Sequence, residues 1–368
     1  VTGDWGGGAA PGPRVRQREV RARRRLLVAA IALVLVAVAI AGVVLTRESG
    51  ENAGPPGPSA SGAPQVTAEP FSQRLVLSVT GGASAMIAVI GSGGGREPSA
   101  LVIPGGVTVV APGQGEVTTE ELAELPAPSM RVAVSNVLGA WVDRYAEMNL
   151  GGLSALTDSM GGLTVDLPDV FVVGNDVLGP GETRMSGQQV VGLLSAQVED
   201  PALRWTVVLE GLLAAAPALE REQLVASDDV AGAAALLQAA TGATVELAPV
   251  ELVGGTVTVL QQPEFDTLTG HMFGIQPPVR VIVQNGNGIA GIGEGVAARL
   301  IPHGFRVVLS ENASSFDVRF TEIIDEGGVH PEEAELARTA LGVGIIEVSQ
   351  VPSGFTDLTI VVGKDFVA

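Results

Sequence analysis

The sequence predicts an α/β protein in three parts: a single N-terminal transmembrane helix, an α-β-α layered domain, and a small α/β domain at its C-terminal side. Three observations predict it. A run of 20 uncharged residues stands behind an arginine-rich segment. A Pro/Gly/Ser/Ala stretch separates that run from the rest. Beyond the stretch, Val/Ile/Leu-rich segments alternate with helical periodicities, with a break at GIQPP near residues 274–278.

The apolar run opens at Leu26, closes at Leu45, and holds no charge, no proline and one glycine. At about 1.5 Å per residue it covers about 30 Å, the hydrocarbon thickness of a bilayer. Seven arginines lie between Arg14 and Arg25, whereas only Arg47, beside Glu48, follows closely. Cationic flanks stay inside, so residues 1–25 are expected in the cytoplasm and the bulk of the chain outside the cell membrane. A cleaved signal peptide has a shorter apolar core and ends at a small-residue site. Ala-Gly-Val-Val-Leu is a poor one, which favours an uncleaved anchor. Residues 46–70 have almost no large apolar side chain and read as a disordered linker.

Charge is distributed unevenly. The whole chain carries −19 and residues 1–25 carry +5, which leaves −24 for the remainder. So acidic a body repels nucleic acid and disfavours a DNA-binding role. With no cysteine, disulfides, thiolate metal sites and thiol nucleophiles are excluded.

The first domain, 71–275, opens with the strand-like segments RLVLSVT, SAMIAVIG and SALVIP, punctuated by glycine turns. Helical patterns follow at 118–125, 129–141 and 150–160, then the strand LTVDLP, then helices at 188–196, 203–216 and 228–240. The second domain, 279–368, reads as strand VRVIVQN, helix 292–303, strand FRVVLSE, helix 332–341, and strands at 344–349 and LTIVVG. The break between them is expected to act as a hinge, leaving the first domain stable without the second.

Three motifs suggest chemistry. Gly286-Asn-Gly288-Ile-Ala-Gly291 follows a strand and opens a helix, with Glu311 at the end of the next strand, the layout of a dinucleotide fingerprint. The chain left is too short for a full dinucleotide fold, and glycines serve any tight strand-to-helix turn. His330 stands near Asp325, Glu326, Glu332 and Glu333, but Pro331 and two acids also make an ordinary helix start. Ser84, Ser135, Ser186 and Ser195 lack a nucleophile-elbow pattern, and His271, His303 and His330 are the only histidines, so a Ser-His-Asp triad is not expected.

Two regions carry a resemblance. VDRYAEMNLGGLSALTDSMGGLTVDLP (142–168) resembles the LytR-CpsA-Psr (LCP) family, whose members show an IDHYVEVNFEGFKKLVDALGGVEVDVP-like run, and LGPGETRMSGQQVVGLLSAQ resembles the helix entry of that family. VRVIVQNGNGIAGIGEGVAARLIPHGFRVV resembles the LytR C-terminal domain. Anchor, LCP domain and LytR C-terminal domain in that order are common in actinobacteria. The resemblance implies an envelope phosphotransferase that moves a glycopolymer from polyprenyl pyrophosphate to peptidoglycan with Mg²⁺. Such chemistry needs cations around the leaving pyrophosphate.

This sequence departs from the family at those cations. The family's S-I-P-R-D stands here as Val102-Ile103-Pro104-Gly105-Gly106, so Gly105 and Gly106 replace an arginine and an aspartate. Its R-x-R is Ser195 and Gln197, and its D-x-x-R-x-x-R-Q is Asp200, Arg204 and Val207-Val208. Asp200 and Arg204 are therefore the possible catalytic remnants. One lost electrostatic donor commonly costs about 10²–10³-fold in rate. The expectation is a membrane-anchored, catalytically degenerate LCP-like protein without a cofactor, binding polyprenyl lipid, peptidoglycan or envelope proteins. The alternative is an active phosphotransferase that recruits Arg96, Arg184 and Arg204 as cations and Asp176, Glu199 and Asp200 as ligands for Mg²⁺. A transcriptional role does not fit an acidic exported body.

Overall fold

The structure, a computed structural model, describes residues 73–81, 85–196, 201–220, 224, 226–227, 230–351 and 354–367. The expected membrane helix and linker lie outside the described residues. Among the described residues no helix is long and apolar enough to cross a membrane.

Glycine turns divide the first apolar stretch into an antiparallel meander of β1 (Gln73–Thr80), β2 (Met86–Ser92) and β3 (Ser99–Ile103). A hairpin of β4 (Val107–Ala111) and β5 (Gly115–Thr118) follows, then α1 (Thr119–Ala123) and α2 (Ala127–Leu138). Next, β6 (Arg144–Asn149) runs parallel to β1 and leads into α3 (Leu150–Ser159). β7 (Leu163–Leu167), β8 (Phe171–Val173), β9 (Asp176–Leu178) and β10 (Gly181–Met185) pair as β7 with β10 and β8 with β9. Then come α4 (Gly187–Ser195), α5 (Pro201–Ala215), β11 (Ala226–Ser227), α6 (Val230–Ala239) and β12 (Thr244–Leu247). β13 (Val250–Val253), β14 (Val257–Leu260) and α7 (Gln262–Phe273) complete this half.

The central sheet is six-stranded, in the order β11-β6-β1-β2-β3-β12. Side chains alternate across it, as strand geometry requires. Leu75, Leu77, Val79, Ala88, Ile90 and Val102 face a core shared with α3, α4, α5 and α6. Val76, Ile87, Val89, Leu101 and Ile103 face the opposite core, shared with α1, α2, α7 and the small sheet β13-β14-β4-β5. Both faces are buried, which explains why these strands read as continuous apolar runs. The α-β-α layering follows the expectation. The expected helix at 129–141 instead starts at Ala127, where prolines suit a first turn, and stops at Leu138 because Gly139 turns left-handed.

Helices on the first face seat closely because glycines let them. A Cβ on Gly187 would lie 2.1 Å from the Ser154 carbonyl oxygen, and one on Gly211 would lie 2.7 Å from Val165 Cγ1. Trp205, Leu209, Leu212 and Leu213 of α5 fill the space above the sheet.

The C-terminal half comprises β15 (Val279–Asn285), α8 (Ile292–Leu300), β16 (Phe305–Asn312), β17 (Glu322–Glu326), α9 (Pro331–Leu341), β18 (Ile345–Ser349) and β19 (Leu358–Val362). Its five-stranded sheet has the order β16-β15-β19-β17-β18, and α8 and α9 cover one face. Asp357 anchors the start of β15: it accepts from the Arg280 backbone N–H at 2.8 Å and from Arg280 Nη2 at 2.7 Å. Burial alone would push this carboxyl up, but the Arg280 hydrogen bonds and charge, with His330 beside them, together hold it below its ordinary value. A depressed carboxylate contributes stability that is present above its unfolded value and is lost as pH falls through the folded one. Asp357→Asn is therefore expected to flatten the acid side of the urea-stability curve below about pH 4 while removing stability at neutral pH.

The two halves lie within one compact unit, Val66–Ala368, and α2 joins them. Met130, Ala133, Val134 and Val137 point into the first half, and Val132 points into the core of the second. Asn136 is 2 % exposed and donates from Nδ2 to the carbonyls of Val307 at 2.8 Å and Val110 at 3.2 Å. Its Oδ1 accepts the Val307 N–H at 2.7 Å. Arg306 reaches back to Asp266 with two bonds, of 3.0 and 2.7 Å. Ile275, within the expected hinge, is buried in the first-half core. These contacts argue against a free hinge and an independent first domain.

Candidate functional site

Open α/β sheets bind ligands beyond the carboxyl ends of their parallel strands. Here β1, β3 and β6 end on that side. The turn after β3 is Pro104-Gly105-Gly106. Gly106 adopts φ +74° and donates its N–H to both carboxylate oxygens of Glu120, at 2.8 Å each. Thr119 closes the same turn, because its Oγ1 donates to the Pro104 carbonyl at 2.8 Å and accepts the Val107 N–H at 3.0 Å. Glu120 is placed there by a rigid helix start: Thr118 and Glu121 form a reciprocal capping box. A carboxylate thus occupies the turn in which the resemblance to the LCP family implies an arginine and an aspartate. Crowding is not the reason, since a Cβ on Gly106 would meet nothing within 4 Å.

A cleft of about 610 Å³ opens beside this edge, lined by Thr80, Glu124, Leu125, Pro126, Glu147 and Asn149 among others. Among the described residues its lining holds two carboxylates, Glu124 and Glu147, and no Lys, Arg or His. Asn149 Oδ1 is engaged in capping α3, accepting the Gly152 N–H at 2.8 Å. Such a lining disfavours an anionic ligand.

The cations proposed from sequence have separate anchors. Arg204 is 6 % exposed. It donates to the carbonyls of Leu193 and Ala196 and stacks 4.8 Å over the Phe171 ring. Burial lowers its pKa, and its partners lie on α4 and β8 rather than in the cleft. Arg204 thus ties the last turn of α4 to α5, a stabilising use of a cation at a helix C-terminus. Arg184 donates to the Gly161 carbonyl through Nε at 3.1 Å and through Nη2, and Arg96 donates to that of His271. Asp176 accepts from Gln189 Nε2 at 2.7 Å. Ser195 ends α4 in an exposed position, and Val207 is buried in the core. Gln197, Glu199 and Asp200 lie outside the described residues.

The glycine-rich loop is used for packing. Asn285 Oδ1 accepts the Gly288 N–H at 2.8 Å, and Asn287 Oδ1 accepts the Ile289 N–H at 3.0 Å. At the start of α8, a Cβ on Gly113 of the β4–β5 turn would lie 3.0 Å from the Glu294 nitrogen and the Gly291 carbonyl oxygen. The first half therefore sits where a pyrophosphate would go, and Glu311 pairs with Gln284 at 2.9 Å instead of facing a ribose. His330 donates its backbone N–H to Asp325 and lies 3.7 Å from Asp357, within an ordinary helix start. Among the described residues no group of three His, Asp or Glu side chains is placed to hold a metal ion. Glu120 and Asn136 are the informative polar residues that sequence reasoning passed over. A lone Asn in an apolar helix was the available signal for the second.

Residues 126–200 match the model of the LytR_cpsA_psr family, and residues 278–366 match that of the LytR cell envelope-related transcriptional attenuator, the LytR C-terminal domain. The chain carries an LCP domain and a LytR C-terminal domain. Similar solved structures include Bacillus subtilis TagV, at 13 % identity and TM-score 0.47, covering 57 % of this chain and 99 % of TagV. A LytR-Csp2A-Psr enzyme from Actinomyces oris aligns at 17 % identity and TM-score 0.45, covering 56 % of this chain and 93 % of its own. YwtF (TagT) of B. subtilis, solved with bound octaprenyl pyrophosphate lipid, aligns at 16 % identity and TM-score 0.46 over 56 % of this chain and 91 % of its own. A comparison with curated proteins finds no match. The assignment rests on the two family matches and their order along the chain.

Proposed function

We propose that this chain is a membrane-tethered LCP-scaffold protein that acts without catalysis, as an accessory or binding protein in cell-wall glycopolymer assembly. The carrying observation is the Gly105-Gly106 turn bonded to the Glu120 carboxylate. Phosphoryl transfer depends on positioned positive charge. In this LCP domain the turn and the neighbouring cleft present carboxylates, and Arg204 is committed to α4. Its partner would be a polyprenyl lipid, peptidoglycan or another envelope protein. The apolar run from Leu26 to Leu45 would keep the LCP domain at the outer membrane surface, where lipid-linked glycans and peptidoglycan meet.

The test is a transfer assay. Full-length protein in nonionic detergent is incubated with a polyprenyl-pyrophosphate-linked glycan, peptidoglycan and Mg²⁺, beside a family member with an intact S-I-P-R-D strand. The expected result is no product above the enzyme-free control. Turnover within about tenfold of the intact member, a difference of only about 1.4 kcal/mol in barrier, would establish the active reading instead.

A further inference from the structure

The LytR C-terminal sheet ends on β18, whose outer side pairs with no other strand among the described residues. Ile345 donates its N–H to the Thr321 carbonyl, and the Ser349 carbonyl accepts the Gly327 N–H. The odd-numbered residues therefore bond to β17. In a parallel ladder the residues between them turn the other way. Ile346 and Val348 thus present their N–H and C=O groups outward. The strand contains no lysine or proline of the kind that usually guards an edge. Ile345 and Val348 are 52 % and 54 % exposed.

Charge decides what could pair there. Register places Glu322 opposite Ile345, Ile324 opposite Glu347, and Glu326 opposite Ser349. Alternation then puts Glu322, Glu326 and Glu347 on the face away from α8 and α9. Neither β17 nor β18 holds a lysine or arginine. A second copy joining through β18 would bring one acidic edge against another, and like charges directly opposite destabilise a strand pair. An extended segment with basic side chains on alternate residues suffers no such repulsion.

We propose that β18 is a docking edge for an extended, Lys- or Arg-bearing peptide segment of a partner protein, which adds as a further strand. Its backbone pairs with Ile346 and Val348. Its basic side chains meet Glu347 and Glu322 on one face, and its alternate apolar side chains meet Val348 on the other. This holds whether or not the LCP domain catalyses, since it rests on the other domain.

The probe is a fluorescein-labelled peptide of alternating Lys and Val, titrated with the full-length protein in nonionic detergent and read by anisotropy. Binding is expected at low salt, declining as salt rises, and a Glu-Val peptide is expected not to bind. Val348→Pro removes an outward N–H without breaking a bond to β17, and Glu347→Lys reverses the charge at the centre of the edge. Each is expected to weaken binding by about tenfold or more with the melting temperature preserved. If Val348→Pro does not fold, Glu347→Lys alone carries the test. Undiminished binding to the variants would mean that the acidic body attracts the probe non-specifically, and would overturn the proposal. Self-association by light scattering that Val348→Pro abolishes would equally overturn it.

Discussion

Replacing Asn136 with leucine is expected to destabilise the folded chain by about 3–5 kcal/mol. Leucine is close to asparagine in size and favours a helix, so neither a cavity nor lost propensity is the cause. The cost comes from what the side chain leaves behind. The Val307 N–H and C=O and the Val110 C=O all bond to it, across the boundary between the LCP and LytR C-terminal domains. Each buried group left without a partner costs about 1–3 kcal/mol. Urea unfolding followed by tryptophan fluorescence checks this. Trp205 lies in the LCP core and Trp141 packs against the C-terminal core, so variants keeping one or the other report each side. Both reporters are expected to shift together to a lower midpoint. A loss under about 1 kcal/mol, the net worth of one ordinary hydrogen bond, would show that the two domains are not joined through Asn136.

Gly187→Ala is expected to cost about 3 kcal/mol or more, the upper end of overpacking penalties. The new methyl would lie 2.1 Å from the Ser154 carbonyl oxygen and 2.6 Å from its Oγ. A side chain can rotate away, but the backbone of α3 cannot, so α3 and α4 must separate. That separation strains the bond from the Gly187 N–H to Asp158 Oδ1, now 2.8 Å. Gly106→Ala is the control. It meets no atom and pays only for a left-handed backbone, about 1–2 kcal/mol. Thermal melts of the two variants should therefore rank Gly187→Ala well below Gly106→Ala. The reverse order would mean that the α3–α4 seam is looser than its geometry implies.

The elements legible in the sequence were those whose signals are local. β1, β2 and β3 are apolar runs between glycine turns, and α3 is stopped by Gly161-Gly162. β6 and β17 mix charged with apolar residues and are made strands by their neighbours in the sheet. β14 pairs with β4, far away in the chain, and no local pattern announces that. α7 buries Phe265, Met272 and Phe273 but interrupts them with threonines and glycine, which hides its periodicity. Trp141 fitted a helical pattern, yet it lies beyond Gly139 and carries Arg131 at 5.5 Å from its ring. At the site, the Gly105-Gly106 turn was readable from the sequence. Glu120 was not, because its position depends on α1 folding back over the β3 turn.

That carboxylate also decides what a new side chain in the turn would meet. An arginine placed at Gly105 would find the protein's own Glu120 as its nearest anion, so its guanidinium would pair inside the turn before it could reach a phosphate. An aspartate placed at Gly106 would have to accept a φ of +74° and face the same glutamate. The turn is thus self-neutralising toward a cation and doubly closed to a second carboxylate, so its charge character is set by α1 rather than by the two residues that form the bend.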